Sequence, residues 1–295
     1  MSDSATRMAW RSPVLGEAKQ LDMPAGSIRY FDVGSGPVIV FVHGVIVNAN
    51  LWRKLVERLT PDHRCVVLDL PVGAHTLPLP ADADLGPVEV ASLVADSIEA
   101  LGLDDVTLVG SDSGGAFSQI VVTTRPERIG RLVLASSDYR DNFPPKLFSY
   151  FTLLGIIPGA MWLVSQTLRI SPLRRAPVAF GWITKRRMDR EAEDSYALPL
   201  SARAEVRRDL RRFIRKTDKT ITNDAADRLP GFNKPALIAW SDEDRVFPKS
   251  DAVALAADLP DSRLEYVEDS YTFSMEDNPD QLAGLIRDFV VETAE

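Results

Sequence analysis

The segment at residues 108–119, LVGSDSGGAFSQ, places a carboxylate between two serine hydroxyls at the end of an apolar run. A strand that turns sharply into a helix can present one residue to a cleft, and it needs small residues two positions before and after that residue. Asp112 is flanked at those positions by two glycines, and Ser113 by a serine and a glycine. Ser111 fits poorly because Val109 is branched. The spacing therefore leaves Asp112 and Ser113 open.

The end of the preceding strand favours Asp112. Residues 106–109 are apolar or β-branched, and Gly110 ends the run where the turn needs a close approach. A carboxylate there could attack a saturated carbon and form an alkyl ester. If desolvation raised its pKa, it could instead act as a general acid or base. A helix cap without chemistry is the third interpretation.

Over nearly its whole length, the chain resembles the α/β-hydrolase superfamily, whose members often carry a segment of the form L-V-G-H-S-x-G-G. Aligned on residues 108–115, the resemblance places the nucleophile on Asp112, replaces the family histidine by Ser111 and puts Ser113 after the nucleophile. It implies an α/β fold in which a mostly parallel sheet is flanked by helices and carries a helical cap. An aspartate at this position indicates the branch that includes haloalkane dehalogenases and epoxide hydrolases.

The segment VHG at residues 42–44 matches the His-Gly that follows the third strand in this superfamily. The resemblance implies an oxyanion hole made by the backbone N–H groups of Val45 and Ser113. It also implies that His43 shapes the substrate site and that Trp52 is the aromatic residue often found after this loop.

The segment LIAWSDEDRVFP at residues 237–248 resembles the end of the seventh strand, where family members carry a catalytic acid. The match indicates Asp244, with Asp242 as the weaker alternative. The family's catalytic histidine should follow the next strand, but the segment SYTFSMEDNP at residues 270–279 has Thr272 at that place. A threonine cannot replace the basicity of an imidazole near neutral pH.

The only histidines are His43, His63 and His75, and all of them precede residue 108. His75 lies in a loop that borders the cleft in relatives, so it is a candidate base, although an ordinary loop histidine is the simpler interpretation. The residues that hold a halide in haloalkane dehalogenases are absent here, because Val45 and Ser113 occupy those positions. Cap tyrosines could protonate an epoxide oxygen, and the candidates are Tyr139, Tyr150 and Tyr196.

Three functional hypotheses follow from these residues. The first is an enzyme with Asp112 as nucleophile that acts on a small, largely apolar epoxide, halide or ester-type substrate, with conventional turnover in doubt because Thr272 replaces the histidine. The second is a non-hydrolytic isomerase, cyclase or lyase that uses Asp112 as a general acid or base. The third is a catalytically inactive relative that binds a ligand.

Short strand patterns alternate with helical patterns, which predicts βαβ units and a mostly parallel sheet. The strand patterns lie at residues 27–34, 37–44, 64–71, 105–111, 131–138, 235–244 and 262–269. Residues 1–138 and 229–295 are expected to form the α/β-hydrolase core, and residues 139–228 a helical cap insertion with an excess of Arg and Lys. The apolar segment at residues 147–168 is expected to cover the cleft, with Tyr150 and Trp162 binding substrate.

The composition narrows the function classes further. The chain has 295 residues and a net charge of −8, which makes nucleic acid an improbable partner and favours a small-molecule substrate. The single cysteine and the absence of a secretory pattern indicate a cytoplasmic protein. Gly155, Pro158 and Gly159 interrupt the apolar segment, so stable membrane insertion is not expected. No cofactor or metal site is expected, because dinucleotide, phosphate-loop and metal-ligand patterns are missing.

Overall fold

The computed structural model describes residues 2–294, and its centre is an eight-stranded sheet. The strands follow one another in the sheet in the order β1-β2-β4-β3-β5-β6-β7-β8. The strands β3 to β8 are parallel to one another, whereas β2 runs antiparallel to both of its neighbours, β1 and β4. Their bounds are Lys19–Leu21 (β1), Ile28–Val33 (β2), Val38–Val42 (β3), Arg64–Asp69 (β4), Val106–Asp112 (β5), Ile129–Ser137 (β6), Ala236–Ser241 (β7) and Ser262–Val267 (β8).

The continuous apolar runs become the central strands because helices cover both faces of the sheet there. β3, β5 and β7 are buried along nearly their full length. The expected fold class, an α/β-hydrolase fold, is therefore confirmed by the topology. β1 is the strand that the sequence pattern does not indicate, because it has three residues and two of them are exposed.

The helices outside the β6–β7 connection pack against the sheet or beside it. α12 begins at Pro279, and the side chain of Asn278 caps it by accepting a hydrogen bond from the backbone N–H of Gln281. These helices are Ser2–Ala9 (α1), Arg53–Leu59 (α2), Pro87–Ala100 (α3), Ser113–Thr124 (α4), Lys249–Asp258 (α10), Ser274–Asp277 (α11) and Pro279–Glu292 (α12).

The chain between β6 and β7 contains helices and loops but no strand. We call residues 139–228 the insert. Its α-helices are Phe151–Ile156 (α5), Ala160–Thr167 (α6), Arg190–Ala202 (α7), Ala204–Lys216 (α8) and Lys219–Ala226 (α9). None of the helices within residues 2–294 combines the length and apolarity that crossing a bilayer requires.

A buried cluster of charged groups joins the insert to the body. The guanidinium of Arg53, which is 5% exposed, donates hydrogen bonds to Asp189 at the start of α7 and to Glu276 in α11. The Asn48 and Asn50 amides donate to Ser195 within α7. Separation of the insert from the body would leave buried polar groups of both parts without hydrogen-bond partners. These contacts therefore hold the insert over the carboxyl ends of the strands.

Candidate active site

The turn after β5 presents Asp112 at its apex. β5 ends at Asp112 and α4 begins at the next residue, and the backbone of Asp112 has φ 54° and ψ −136°. Positive φ is uncommon for a non-glycine residue and stores strain at functional sites. A Cβ at Gly114 would collide with the carbonyl oxygen of Val42, so the close packing of α4 on β3 requires glycine there. The strand–turn–helix geometry thus selects the register with Asp112 at the turn.

Two backbone donors hold the Asp112 carboxylate. It accepts hydrogen bonds from the backbone N–H groups of Val45 and Ser113. The loop after β3 reaches it because a glycine stands at position 44, where a Cβ would collide with the carboxylate itself. The two N–H groups expected to form an oxyanion hole are therefore brought together on the Asp112 side chain.

Burial makes ionisation of Asp112 unfavourable. Desolvation is the largest influence on its pKa, and the negative charge of Asp244 acts in the same direction. The N–H groups of Val45 and Ser113 oppose this shift, but the pKa of Asp112 still rises to about 7. Asp112 is consequently a carboxyl group that changes its charge near neutral pH.

Asp244 lies in the loop after β7, close enough to Asp112 to influence its ionisation. Its Oδ1 accepts the backbone N–H groups of Val246 at 2.8 Å and Phe247 at 2.9 Å. Its Oδ2 has no hydrogen-bond partner among the described residues. Burial raises the pKa of Asp244, and the two backbone donors work against that shift.

Thr272 occupies the place beside Asp244 where the family resemblance implies a histidine. Its hydroxyl donates to Asp244 Oδ1 at 2.9 Å, and its side chain is buried. The hydroxyl therefore satisfies the acid but offers no group that could take a proton from water near neutral pH.

A third carboxyl, Asp138, lies beside this pair and was not singled out from the sequence. It follows β6 directly, it is fully buried, and its N–H donates to the carbonyl oxygen of Asp112 at 3.4 Å. Neither of its carboxyl oxygens has a hydrogen-bond partner of normal geometry within residues 2–294. Burial and then the charge of Asp112 raise its pKa far above the usual range, although the nearby Ser113 hydroxyl lowers it.

Burial of Asp138 therefore favours the neutral form of its carboxyl group. The sequence signal that could have found it is an acid at the carboxyl end of the strand next to β5, because such ends meet at one edge of a parallel sheet.

A cavity of about 500 Å³ opens above Asp112. Asp112 is the only Asp, Glu, His, Lys or Arg side chain among the described residues that line it. Most lining side chains are apolar and come from the loop after β3, from the start of the insert and from α5, α6 and α8; they include Val45, Ile46, Phe148, Phe151, Leu154, Met161, Val164, Leu210, Phe213 and Ile214. The arrangement suits an apolar ligand whose reactive atom meets a single carboxylate.

Among the residues expected to bind substrate, only Tyr150 borders this cavity. Its hydroxyl donates to the carbonyl oxygen of Val178 at 2.7 Å, so its proton is already used in a hydrogen bond within the protein. The expectation is not met for Trp52, which is fully buried against Phe41 in the core, nor for Trp162, whose side chain is half exposed on the outside of α6. A short amphipathic helix presents only some of its apolar residues inward, and α6 turns Met161 rather than Trp162 to the cavity.

His43 is also a structural residue here. The backbone N–H of Leu70 donates to its Nε2 at 2.8 Å, so the ring proton is on Nδ1, which lies 2.8 Å from the Gly44 carbonyl oxygen. Burial lowers the pKa of His43 to about 4. A neutral imidazole thus anchors the loop that carries Val45 and lies outside the cavity lining.

His75 and His63 are engaged away from Asp112. The buried ring of His75 pairs with Asp209 of α8 at 3.3 Å and accepts the N–H of Gly73, while His63 pairs with Asp62. Neither borders the cavity. The candidate role of His75 as the base is therefore contradicted by its partners and its position.

The two remaining tyrosine candidates also lie outside the lining. The Tyr139 hydroxyl donates to Asp258, and Tyr196 is buried beside Arg53. Within residues 2–294, no group of three or more His, Cys, Asp and Glu side chains is arranged to hold a metal ion.

Comparison with known proteins agrees with this geometry. Residues 37–167, which include the loop after β3 and the β5–α4 turn, match the family model described as the alpha/beta hydrolase fold. A cis-3-alkyl-4-alkyloxetan-2-one decarboxylase from Shewanella oneidensis is 28% identical, over 92% of this chain and 88% of the relative. Haloalkane dehalogenase 2 from Mycobacterium tuberculosis is 27% identical, over 92% of this chain and 93% of the relative.

The solved structures lead to the same fold. An ancestral haloalkane dehalogenase superposes with a TM-score of 0.77 at 20% identity, covering 93% of this chain and 99% of the other. A thermophilic esterase from Thermogutta terrifontis superposes with a TM-score of 0.72 at 16% identity, covering 95% of this chain and all of the other. The chain therefore has the α/β-hydrolase fold and resembles α/β-hydrolase enzymes, with haloalkane dehalogenases among the proteins to which it is similar.

Proposed function

We propose that Asp112 is a covalent nucleophile and that its catalytic cycle is completed without an activated water molecule. The best candidate is the opening and decarboxylation of an apolar, alkyl-substituted β-lactone, the substrate type named for the Shewanella oneidensis relative. One observation carries the proposal: an apolar cavity ends on Asp112, and no basic side chain of the described residues borders it. A reaction in which the nucleophile itself is the leaving group needs no base.

The steps balance without water. The ionised carboxylate of Asp112 attacks the saturated ring carbon that is bonded to the ring oxygen. The bond between that carbon and the ring oxygen breaks. The product is an alkyl ester of Asp112 with a free carboxylate two carbons away. The carbon–carbon bond to that carboxylate then breaks, and its electrons form the double bond of an alkene. At the same time the bond between the alkyl carbon and the ester oxygen breaks, which returns Asp112 as a carboxylate. Carbon dioxide and the alkene leave.

The site residues take distinct roles in this scheme. The N–H groups of Val45 and Ser113 orient the attacking carboxylate and stabilise it again when it leaves. The Thr272 hydroxyl donates to Asp244 Oδ1, which helps to hold the Asp244 carboxyl group in place near Asp112. The apolar lining keeps water from the alkyl ester.

Hydrolysis of an epoxide, halide or ester is the second candidate. It is favoured by the same N–H pair, which would stabilise the oxyanion formed when water attacks an Asp112 ester. Its weakness is the water-activating group, because Thr272 and the engaged histidines supply no base.

The test is to incubate the protein with a cis-dialkyl β-lactone and to measure alkene, carbon dioxide and β-hydroxy acid. The β-lactone reaction gives equal amounts of alkene and carbon dioxide, and Asp112→Asn abolishes both. Formation of β-hydroxy acid would favour hydrolysis. If product forms equally with Asp112→Asn, the covalent role of Asp112 is wrong. Binding of the lactone without any turnover would favour an inactive relative.

A further inference from the structure

The outer surface of the insert is unusually apolar. Of the large hydrophobic side chains that are exposed among the described residues, twelve in all, nine belong to the insert between residues 153 and 182. They are Leu153, Ile156, Ile157, Trp162, Leu163, Ile170, Leu173, Val178 and Trp182. Scattered exposed apolar residues need no explanation, but a concentration on one segment indicates a surface that is covered in use. Leu173 and Val178 also line the cavity, so we call the other seven residues the outer apolar face.

The face is supported by one thin layer of structure. In α5 and α6 the side chains of Leu154, Met161 and Val164 line the cavity, while their neighbours point to solvent. The Tyr150 hydroxyl ties this layer to the Val178 carbonyl oxygen, so the segments before α5 and after α6 are held together. The layer therefore separates the cavity from the outside by about one side chain.

Charge distinguishes this segment from the rest of the chain. No Asp or Glu occurs between Asp141 and Asp189, although Lys or Arg occurs seven times there, in a protein whose net charge is −8. α8 adds two guanidinium groups, because Arg211 and Arg215 donate to the Gly155 carbonyl oxygen next to the exposed Ile156. Of the seven cations in the segment, Arg174, Lys185 and Arg186 are ion-paired to carboxylates. The other four make no ion pair within the described part of the chain and can meet an anionic surface; they are Lys146, Arg169, Arg175 and Arg187.

We propose that the outer apolar face docks on the surface of an anionic lipid bilayer. Aromatic and aliphatic side chains enter the headgroup region, and the surrounding cations bind lipid phosphates. An apolar ligand dissolved in the bilayer then has a short path to the cavity. The inference concerns binding and does not depend on the reaction proposed for Asp112.

A vesicle flotation experiment tests the proposal. The full chain is mixed with phosphatidylcholine vesicles and with vesicles containing one third phosphatidylglycerol. We expect at least tenfold stronger binding to the anionic vesicles, and a loss of about tenfold between 50 and 500 mM NaCl because salt screens the cations. The exposed tryptophans should shift their fluorescence to shorter wavelength on binding.

Paired variants locate the contact. Trp162→Ser with Leu163→Ser should lower anionic vesicle binding at least tenfold. Val253→Ser with Val291→Ser removes two equally exposed apolar side chains from α10 and α12 and should leave binding unchanged. Circular dichroism and the melting temperature show whether each variant is folded.

Two outcomes would overturn the proposal. One is that all variants bind both vesicle types equally. The other is that no vesicle binds and sedimentation shows a dimer that only the Trp162/Leu163 pair dissociates, which would make a second copy of the chain the occupant of the face.

Discussion

Asp112 must be charged to attack carbon, yet its surroundings disfavour the charge. Burial and the neighbouring Asp244 raise its pKa to about 7, against the pull of two N–H donors. The Asp112 carboxyl group therefore changes from a neutral acid to a charged nucleophile across the physiological pH range. The pH dependence of the reaction can distinguish a general acid from a nucleophile.

We expect the rate of covalent modification of Asp112 by an apolar electrophile to rise with pH and level off above about 7. Asp244→Asn removes a negative charge, so it should move the midpoint to lower pH. Rapid quenching and mass spectrometry between pH 5 and 9 measure both profiles. A rate that falls as pH rises would indicate that protonated Asp112 acts as a general acid.

The raised pKa also predicts a gain in stability on neutralising Asp112. The folded protein binds the Asp112 proton more tightly than the unfolded chain, so the stability from this group is complete below about pH 3.8 and is lost as pH rises to about 7. Asp112→Asn should therefore stabilise the protein at pH 8 by about 4 kcal/mol and by almost nothing at pH 4.

Denaturant unfolding at the two pH values measures this difference, and Asp82→Asn on the surface serves as the control, with a change expected within about 0.5 kcal/mol. Loss of stability in Asp112→Asn at pH 8 would contradict burial as the cause of the shift.

At the scale of elements, the β5–α4 turn is the feature that the sequence predicts best. The glycines around Asp112 are required because the first turn of α4 lies against the loop after β3, and a side chain at Gly114 has no space. The order of the strand patterns likewise indicates the sheet, and the family resemblance implies the place of Thr272 next to Asp244. These features depend on local sterics and on chain order, which a sequence displays.

Other site features depend on contacts that no local pattern contains. An aspartate after a strand is usually a surface group, so the position of Asp138 at the end of β6 indicates its nearness to Asp112 only once the strand order is known. The inward and outward faces of α6 are set by α7 and α8, and a helix of eight residues is too short for its apolar pattern to place Trp162. The ring of Trp52 fills core space beside β3, although its sequence context resembles a site residue.

The steric requirement of the turn gives a direct comparison between two glycines. Gly114→Ala should destabilise the protein by about 2 kcal/mol or more, because the new methyl group meets the Val42 carbonyl oxygen. Gly284→Ala in the interior of α12 meets no neighbouring atom and should stabilise it by about 0.5–1 kcal/mol. Equal effects in urea unfolding would contradict the packing described for the turn.

At the scale of the whole molecule, buried polar groups join the insert to the body. Arg53 bridges Asp189 of the insert and Glu276 of the body, and the Arg53 and Glu276 side chains are almost inaccessible. Removing one partner leaves charge buried without compensation, so the cost exceeds that of a surface pair.

Arg53→Ala should cost about 3 kcal/mol of stability. Arg58→Ala in the same helix breaks an exposed pair with Asp280 and should cost about 0–1 kcal/mol. Chemical denaturation of both variants, with limited proteolysis of the insert, measures the difference. If the two substitutions cost the same, the junction does not hold the insert in place.

The measurement that tests the central claim most directly is the mass of the intact protein after reaction with an apolar alkyl halide such as 1-iodohexane. We predict that the wild-type protein gains one hexyl group, that peptide mapping finds it on Asp112, and that the ester persists because Thr272 activates no water. Asp112→Asn should gain none, and Thr272→His should lose the ester faster than the wild type. An adduct on another residue, or hydrolysis in the wild type as fast as in Thr272→His, would contradict the account.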